Sequence, residues 1–183
     1  MDFERVLKTL LRQFERQRIR YAAIGGFALG VLGVPRATMD LDFVVHHDDL
    51  ERLDDILMAA GYERFAFMEH VSHYTHRDSH WGRIDILHAF RKYAMGMLER
   101  SRAYPIFEGR HTIKVLEPED VIGFKVQAMA NNPPRRKQEE VDIETIMTRF
   151  GGTLDWNRIQ GYYDLFELGE EARQLRARYG HAQ

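Results

Sequence analysis

The sequence contains no cysteine. That removes disulfides, thiolate metal sites and cysteine nucleophiles from consideration. No run of about 18 apolar residues occurs, so no membrane span is expected. The first residues, Met1-Asp2-Phe3-Glu4-Arg5, interrupt any apolar stretch with charge and do not resemble a signal peptide. A cytoplasmic location is therefore the expectation. Neither sign of charge dominates: 26 Lys and Arg against 28 Asp and Glu give a net charge of -2. This argues against a strongly basic nucleic-acid binder. The chain has no internal repeat and no low-complexity segment. What remains is ordinary globular material, 44% hydrophobic over 183 residues, long enough to bury a core without covalent staples.

The charge is unevenly spread. Residues 40–63 hold eight acids against one base, Arg52, whereas the first twenty residues hold six bases against three acids. Arg135, Arg136 and Lys137 form a second basic cluster. Each cluster alone reads as a solvated helix face; together they keep a polyanion such as RNA open as a partner.

Periodicity divides the chain into a mixed α/β part and a helical part. Val6, Leu7, Leu10, Leu11 and Phe14 recur at helical spacing and predict a helix over 3–18. Tyr21-Ala22-Ala23-Ile24 reads as a short buried strand that ends at Gly25-Gly26, followed by a short helix over 27–32. Residues 36–45 alternate cleanly. Ala37, Met39, Leu41, Phe43 and Val45 are apolar; Arg36, Thr38, Asp40 and Asp42 are polar. A strand with this pattern turns one face to the core and the other to a cleft or to water. A helix is predicted over 48–60, with an acid-rich first turn and Gly61 as its stop. Two strands follow, 62–76 and 83–88, then a helix over 90–102 and a strand over 112–116. Pro118 suits the first turn of a helix reaching residue 130. Helices over 136–149, 155–167 and 169–179 complete the reading. The domain expectation is a core with its N-terminal helix over 1–116 and a helical C-terminal part over 117–183, packed together as one structural domain.

Asp40 and Asp42, two apart on a strand, point the same way. Two ionised carboxylates this close repel, and a site that keeps both charged needs a cation. Hard oxygen ligands suit Mg²⁺, with Mn²⁺ as an alternative. Alone, the pair is equally compatible with a solvated strand face. Three features give it company. Asp85 lies between Ile84 and Ile86 on a second predicted strand. Gly25-Gly26 stands between a strand and a helix, where backbone amides can approach a phosphate. Lys125 falls in the middle of the apolar face made by Val121, Ile122, Ala128 and Met129. An unpaired buried ammonium is costly, so Lys125 must reach an acid or a phosphate.

These segments resemble a known family. Ala23-Ile24-Gly25-Gly26-Phe27-Ala28-Leu29 and Arg36-Ala37-Thr38-Met39-Asp40-Leu41-Asp42-Phe43 are similar to the Gly-Gly … Arg-x-Thr-x-Asp-x-Asp core of the polymerase-β-like nucleotidyltransferase superfamily. Arg83-Ile84-Asp85-Ile86-Leu87 resembles the strand bearing its third carboxylate. Residues 115–125, ending in Lys125, resemble the segment after the core in minimal, AbiE-type nucleotidyltransferases, many of which are toxins of toxin–antitoxin pairs. The likeness covers residues 20–150. One stretch departs from the pattern: where related chains carry Lys-Asp, this one has Gln138-Glu139, although Asp142 is kept.

The resemblance implies an α/β nucleotidyltransferase fold, with a small mixed sheet flanked by helices. It implies metal-dependent transfer of a nucleoside monophosphate from a nucleoside triphosphate to a hydroxyl of an RNA end, a protein or a small molecule. Asp40 and Asp42 would bind Mg²⁺. Asp85 would bind a second metal or accept the proton of the attacking hydroxyl. Gly25, Gly26 and Lys125 would hold phosphates. Arg36 and Thr38, placed by parity on the face of the aspartates, would contact phosphate or orient a carboxylate. A toxin or antitoxin partner is a further implication. Two other functions fit parts of the pattern: a catalytically silent nucleotidyltransferase-fold binding or antitoxin partner, and an Asp-x-Asp glycosyltransferase. Zinc is disfavoured: His73 and His76, three apart on a predicted strand, point to opposite faces.

Overall fold

The described part of the protein, residues 1–181 of a computed structural model, begins with an amphipathic helix. In α1 (Phe3–Arg16) the residues Val6, Leu7, Leu10, Leu11 and Phe14 are buried, as one apolar stripe requires. Asp2 caps it by accepting the Arg5 amide at 3.1 Å. The chain divides into two compact units, Met1–Leu116 and Glu117–Gln183.

The first unit carries the sheet. Its strands are β1 (Tyr21–Ile24), β2 (Asp40–His46), β3 (Tyr62–Phe67), β4 (Val71–His76), β5 (Arg83–Ala89), β6 (Arg102–Ile106) and β7 (His111–Val115). They lie in the order β3-β4-β5-β2-β1-β7-β6. β2 is antiparallel to β1 and parallel to β5, and β1 is parallel to β7, so the sheet is mixed. Helices α2 (Gly25–Val31), α3 (Leu50–Ala59) and α4 (Lys92–Arg100) complete the unit. This is the mixed α/β architecture expected from the sequence. Leu41, Phe43, Ile84 and Ile86 are fully buried on one face of β2 and β5. There Phe43 meets Phe14 of α1 edge-on at 5.7 Å and Tyr21 at 5.8 Å. The opposite face presents the acids.

The second unit is helical, with α5 (Pro118–Asn131), α6 (Arg136–Phe150), α7 (Trp156–Asp164) and α8 (Gly169–Tyr179). Polar side chains join its helices. Glu119 accepts the Asp155 amide at 2.8 Å, and Asp155 in turn caps α7. The Tyr162 hydroxyl donates to buried Asp120 at 2.5 Å. Arg136 links Glu140 and Glu171, each at 2.7 Å.

Four features differ from expectation. Residues 36–39 are not strand: β2 starts at Asp40, and Met39 is 77% exposed instead of facing the core. The cause is local. The Thr38 hydroxyl donates to the Asp40 carbonyl at 3.1 Å and accepts the Asp40 amide at 3.4 Å, closing a turn in place of a strand ladder. Residues 62–76 form a hairpin of two strands, β3 and β4, and not one long strand. β6, at the sheet edge, follows the segment read as helix and overlaps it only at Arg102, in a stretch where no strand was expected; Pro105 is tolerated in an edge strand. The short helix also begins earlier than predicted, at the glycine pair itself.

Candidate active site

β2 places Asp40 and Asp42 on one face, and pairing across the sheet supplies their neighbours. Asp42 stands in register with Asp85 on parallel β5, and Asp40 with Arg83. On the other side of β5, Asp85 stands in register with His73 of β4. Residues in register share a face. Asp42, Asp85 and His73 thus form one row across three strands.

The β1–α2 junction borders this row. Ile24 is in register with Asp42, so the chain turns into α2 directly beside the carboxylate. Gly25 has φ +67°, and a Cβ added there would fall 2.0 Å from Asp42 Oδ2. A Cβ at Gly26 would fall 2.6 Å from Thr38 Cβ. The glycine pair lets α2 approach both side chains. The space that a side chain would take at Gly25 is filled by the Asp42 carboxylate, and that at Gly26 by Thr38.

Arg36 and Thr38 lie in the loop before β2 and not on the strand itself, and the Thr38 hydroxyl is tied to the backbone of Asp40. Arg36, Thr38 and Gly26 also line an open cavity of about 590 Å³ with Phe3, Phe27 and Phe107. Three sequence-predicted groups, Asp40–Asp42, Asp85 and Gly25–Gly26, are brought together within the first unit.

Asp85 has two basic neighbours. Its Oδ1 lies 2.7 Å from His73 Nδ1 and 4.0 Å from Arg83 Nη2. Phe65 of β3 stacks on His73, with centroids 5.7 Å apart and planes at 25°, and also carries Arg83 over its ring at 5.6 Å. Neither Phe65 nor the His73–Asp85 pairing is visible in the sequence. The strand alternation of β4 was the available signal, but it does not fix which residue faces Asp85.

Lys125 belongs to the second unit. Its ammonium donates to Glu139 at 2.9 Å and to Asp142 at 2.7 Å, and all three side chains are nearly buried. Arg135 adds a further contact to Glu139 at 2.9 Å. The requirement for a partner is met by acids of α6, including the residue at the departure from the family pattern, Glu139.

The oxygen donors suit a hard divalent cation. Among the described residues, however, no three His, Asp or Glu side chains converge as a preformed metal site. Mg²⁺ commonly takes only one or two protein carboxylates and completes its shell with water and phosphate. Asp40 and Asp42 meet that smaller demand.

No curated protein matches the chain. Among solved structures, the antibiotic-resistance factor ANT(2'')-Ia is similar over 99% of this chain and 100% of that one, with 15% identity and a TM-score of 0.67. A nucleotidyltransferase-like protein from Paracoccidioides brasiliensis is similar over 96% and 91%, with 17% identity and a TM-score of 0.57. The lincosamide antibiotic adenylyltransferase LnuA covers 78% of this chain and 95% of its own, with 16% identity and a TM-score of 0.55. At these identities the likeness establishes a shared fold. The family model described as "Uncharacterised nucleotidyltransferase" matches residues 2–176, and the chain belongs to that family of nucleotidyltransferase enzymes.

Proposed function

We propose that the protein transfers a nucleoside monophosphate from a nucleoside triphosphate to a hydroxyl group of a small molecule. The observation that carries the reading is the row of Asp42 and Asp85 in register, with Asp40 on the same face and Gly25 opening space for the Asp42 carboxylate. In this reading the acceptor oxygen bonds to the α-phosphorus, the bond from that phosphorus to pyrophosphate breaks, and Asp85 takes the hydroxyl proton. Asp40 and Asp42 would hold Mg²⁺, or Mn²⁺ in its place. Such an ion, when bound, offsets charge on the phosphates. Gly25, Gly26, Arg36 and Thr38 are assigned to the phosphate side of the site. For Lys125, the phosphate contact implied by the resemblance would require the ammonium to leave Glu139 or Asp142.

The small-molecule acceptor rests on two structural neighbours. One is ANT(2'')-Ia, whose structure with adenylyl-2''-tobramycin has a TM-score of 0.62 to this chain. The other is lincomycin-bound LnuA. Both are fold-level likenesses. They favour ATP as the first donor to test. An RNA end or a protein hydroxyl is the other acceptor class that the sequence leaves open. The comparisons carry the nucleotidyltransferase assignment without the AbiE-type branch, so a toxin or antitoxin partner stays an implication of the resemblance alone.

The test is incubation with each α-labelled nucleoside triphosphate and Mg²⁺ against aminoglycosides, lincosamides, total RNA and protein. Transfer to a small molecule that falls to background in Asp42→Ala is expected. Label on RNA or protein would reject the acceptor assignment. No transfer, together with no metal-dependent nucleotide binding, would reject the function.

A further inference from the structure

The third carboxylate is held by a residue that the reaction scheme does not use. His73 and Asp85 are register partners on antiparallel strands, so the backbone ladder fixes the separation of their side chains. His73 Nδ1 is 2.7 Å from Asp85 Oδ1. An ionised carboxylate only accepts, so Nδ1 carries the hydrogen and donates it. Phe65 stacks on the imidazole. Turning the ring over would break that hydrogen bond and set a C–H against the carboxylate.

The pair differs from a buried structural latch in two ways. Both side chains keep between a fifth and a quarter of their surface exposed, 24% for His73 and 21% for Asp85. They also lie on the acid-bearing face. A contrasting histidine is His88, on the core face of β5, which is 7% exposed and bonds Ser72 and the Glu69 carbonyl. In addition, the contacts of His73 and Arg83 with Asp85 both fall on Oδ1, so Oδ2 is turned to neither of them.

We propose that His73 is a positioning residue for nucleotidyl transfer: its Nδ1–H fixes one oxygen of Asp85 and thereby aims the other at the acceptor hydroxyl. The inference rests on the function proposed above. The proton of the hydroxyl goes to Oδ2 of Asp85, and His73 itself exchanges no proton in the step. Phe65 holds the imidazole plane.

The substitutions separate hydrogen bond from bulk. His73→Asn can place an amide N–H near the position of Nδ1. His73→Phe keeps a ring against Phe65 but has no donor. His73→Ala lacks both. A hydrogen bond that orients a reactive carboxylate is expected to be worth about 10- to 100-fold in activity. The loss should fall on kcat in His73→Phe and His73→Ala, with KM for the nucleotide unchanged, and His73→Asn should recover most of it. A second measurement does not depend on turnover. Long-range ¹H–¹⁵N spectra in mildly alkaline buffer should show His73 protonated on Nδ1, and on Nε2 after Asp85→Ala.

An active wild type in which His73→Asn is as slow as His73→Ala, or His73→Phe as fast as wild type, overturns the positioning role and leaves the proposed function standing. Nε2 protonation in the wild type overturns it regardless of activity. A wild type that transfers nothing and shows no metal-dependent nucleotide binding rejects the proposed function, and the positioning role falls with it.

Discussion

The carboxylate of Asp42 occupies the space that any side chain at Gly25 would need. Gly25 opens α2 directly after β1 and Asp42 lies on β2, and the contact exists because Ile24, directly before Gly25, is in register with Asp42. An added Cβ would lie 2.0 Å from Oδ2, at a backbone φ of +67°.

Gly25→Ala should therefore harm both stability and transfer. The left-handed backbone alone costs about 1–2 kcal/mol for a residue with a Cβ, and the clash displaces the Asp42 carboxylate from its seat. Gly30, in the same helix, has no atom within 4 Å of an added Cβ. Gly30→Ala should be stabilising by about 0.5–1 kcal/mol and leave transfer intact. Urea midpoints and initial rates on both variants check this. Equal effects at the two positions would remove the special status of Gly25.

Much of this geometry is legible in the sequence. Asp40-Leu41-Asp42-Phe43 alternates because its apolar members face a core and its acids do not, and Ile84-Asp85-Ile86 repeats the pattern on the strand that pairs with it. Lys125 stood out because an ammonium inside an apolar stripe needs a partner. The failures share a cause. At Thr38 a side-chain hydroxyl took the backbone groups of Asp40, and alternation cannot register that competition. The pairing of His73 with Asp85 depends on register between β4 and β5, which no local pattern determines. β6 is an edge strand held by one neighbour, so its sequence was under little constraint to look like a strand.

Lys125→Met should destabilise the second unit. Glu139 and Asp142 are nearly buried, and removing the ammonium leaves two carboxylates close together. Breaking such a buried cluster from one side costs about 3–5 kcal/mol. Adding Glu139→Gln and Asp142→Asn to Lys125→Met removes the repulsion between the two acids and should restore most of the stability in urea titrations. The restored triple variant then isolates the phosphate question. A raised KM for the nucleotide would mark a phosphate contact by Lys125, and an unchanged KM would mark a structural lysine.

His88 should make stability depend on pH near neutrality. Burial holds its imidazole below the usual 6.5, and the neutral ring fits its partners: Nδ1–H donates to the Glu69 carbonyl and Nε2 accepts from Ser72, each at 3.0 Å. The folded state binds its proton less readily than the unfolded chain. Stability is thus complete above 6.5 and falls as the pH drops from there toward the lower folded value. His88→Gln should be less stable than wild type in neutral buffer but lose less between about pH 7.5 and pH 5.5. Parallel slopes for the two proteins would show that His88 is not the source.

Asp49 should contribute stability that disappears only in strong acid, and its contribution reaches the site through the backbone. Its carboxylate is fully buried, accepts the Arg20 amide and guanidinium at 2.8 Å, and pairs with Arg52. Arg20 immediately precedes β1, and Asp49 follows β2 by three residues. The clamp therefore ties together the ends of β1 and β2 away from Gly25 and Asp42. Burial by itself would push the carboxyl up, but the hydrogen bonds and charge of Arg20, joined by Arg52, outweigh it and bring it down to about 2 from 3.8. A folded value below the unfolded one means stability is present above 3.8 and is lost as the pH falls through 2. That difference corresponds to about 2 kcal/mol. Asp49→Asn should lose a similar amount at neutral pH, and the gap between variant and wild type should close as both are taken toward pH 2 in denaturant titrations. A gap that persists in acid would mean that the charge of Asp49 is not what holds the strand ends together.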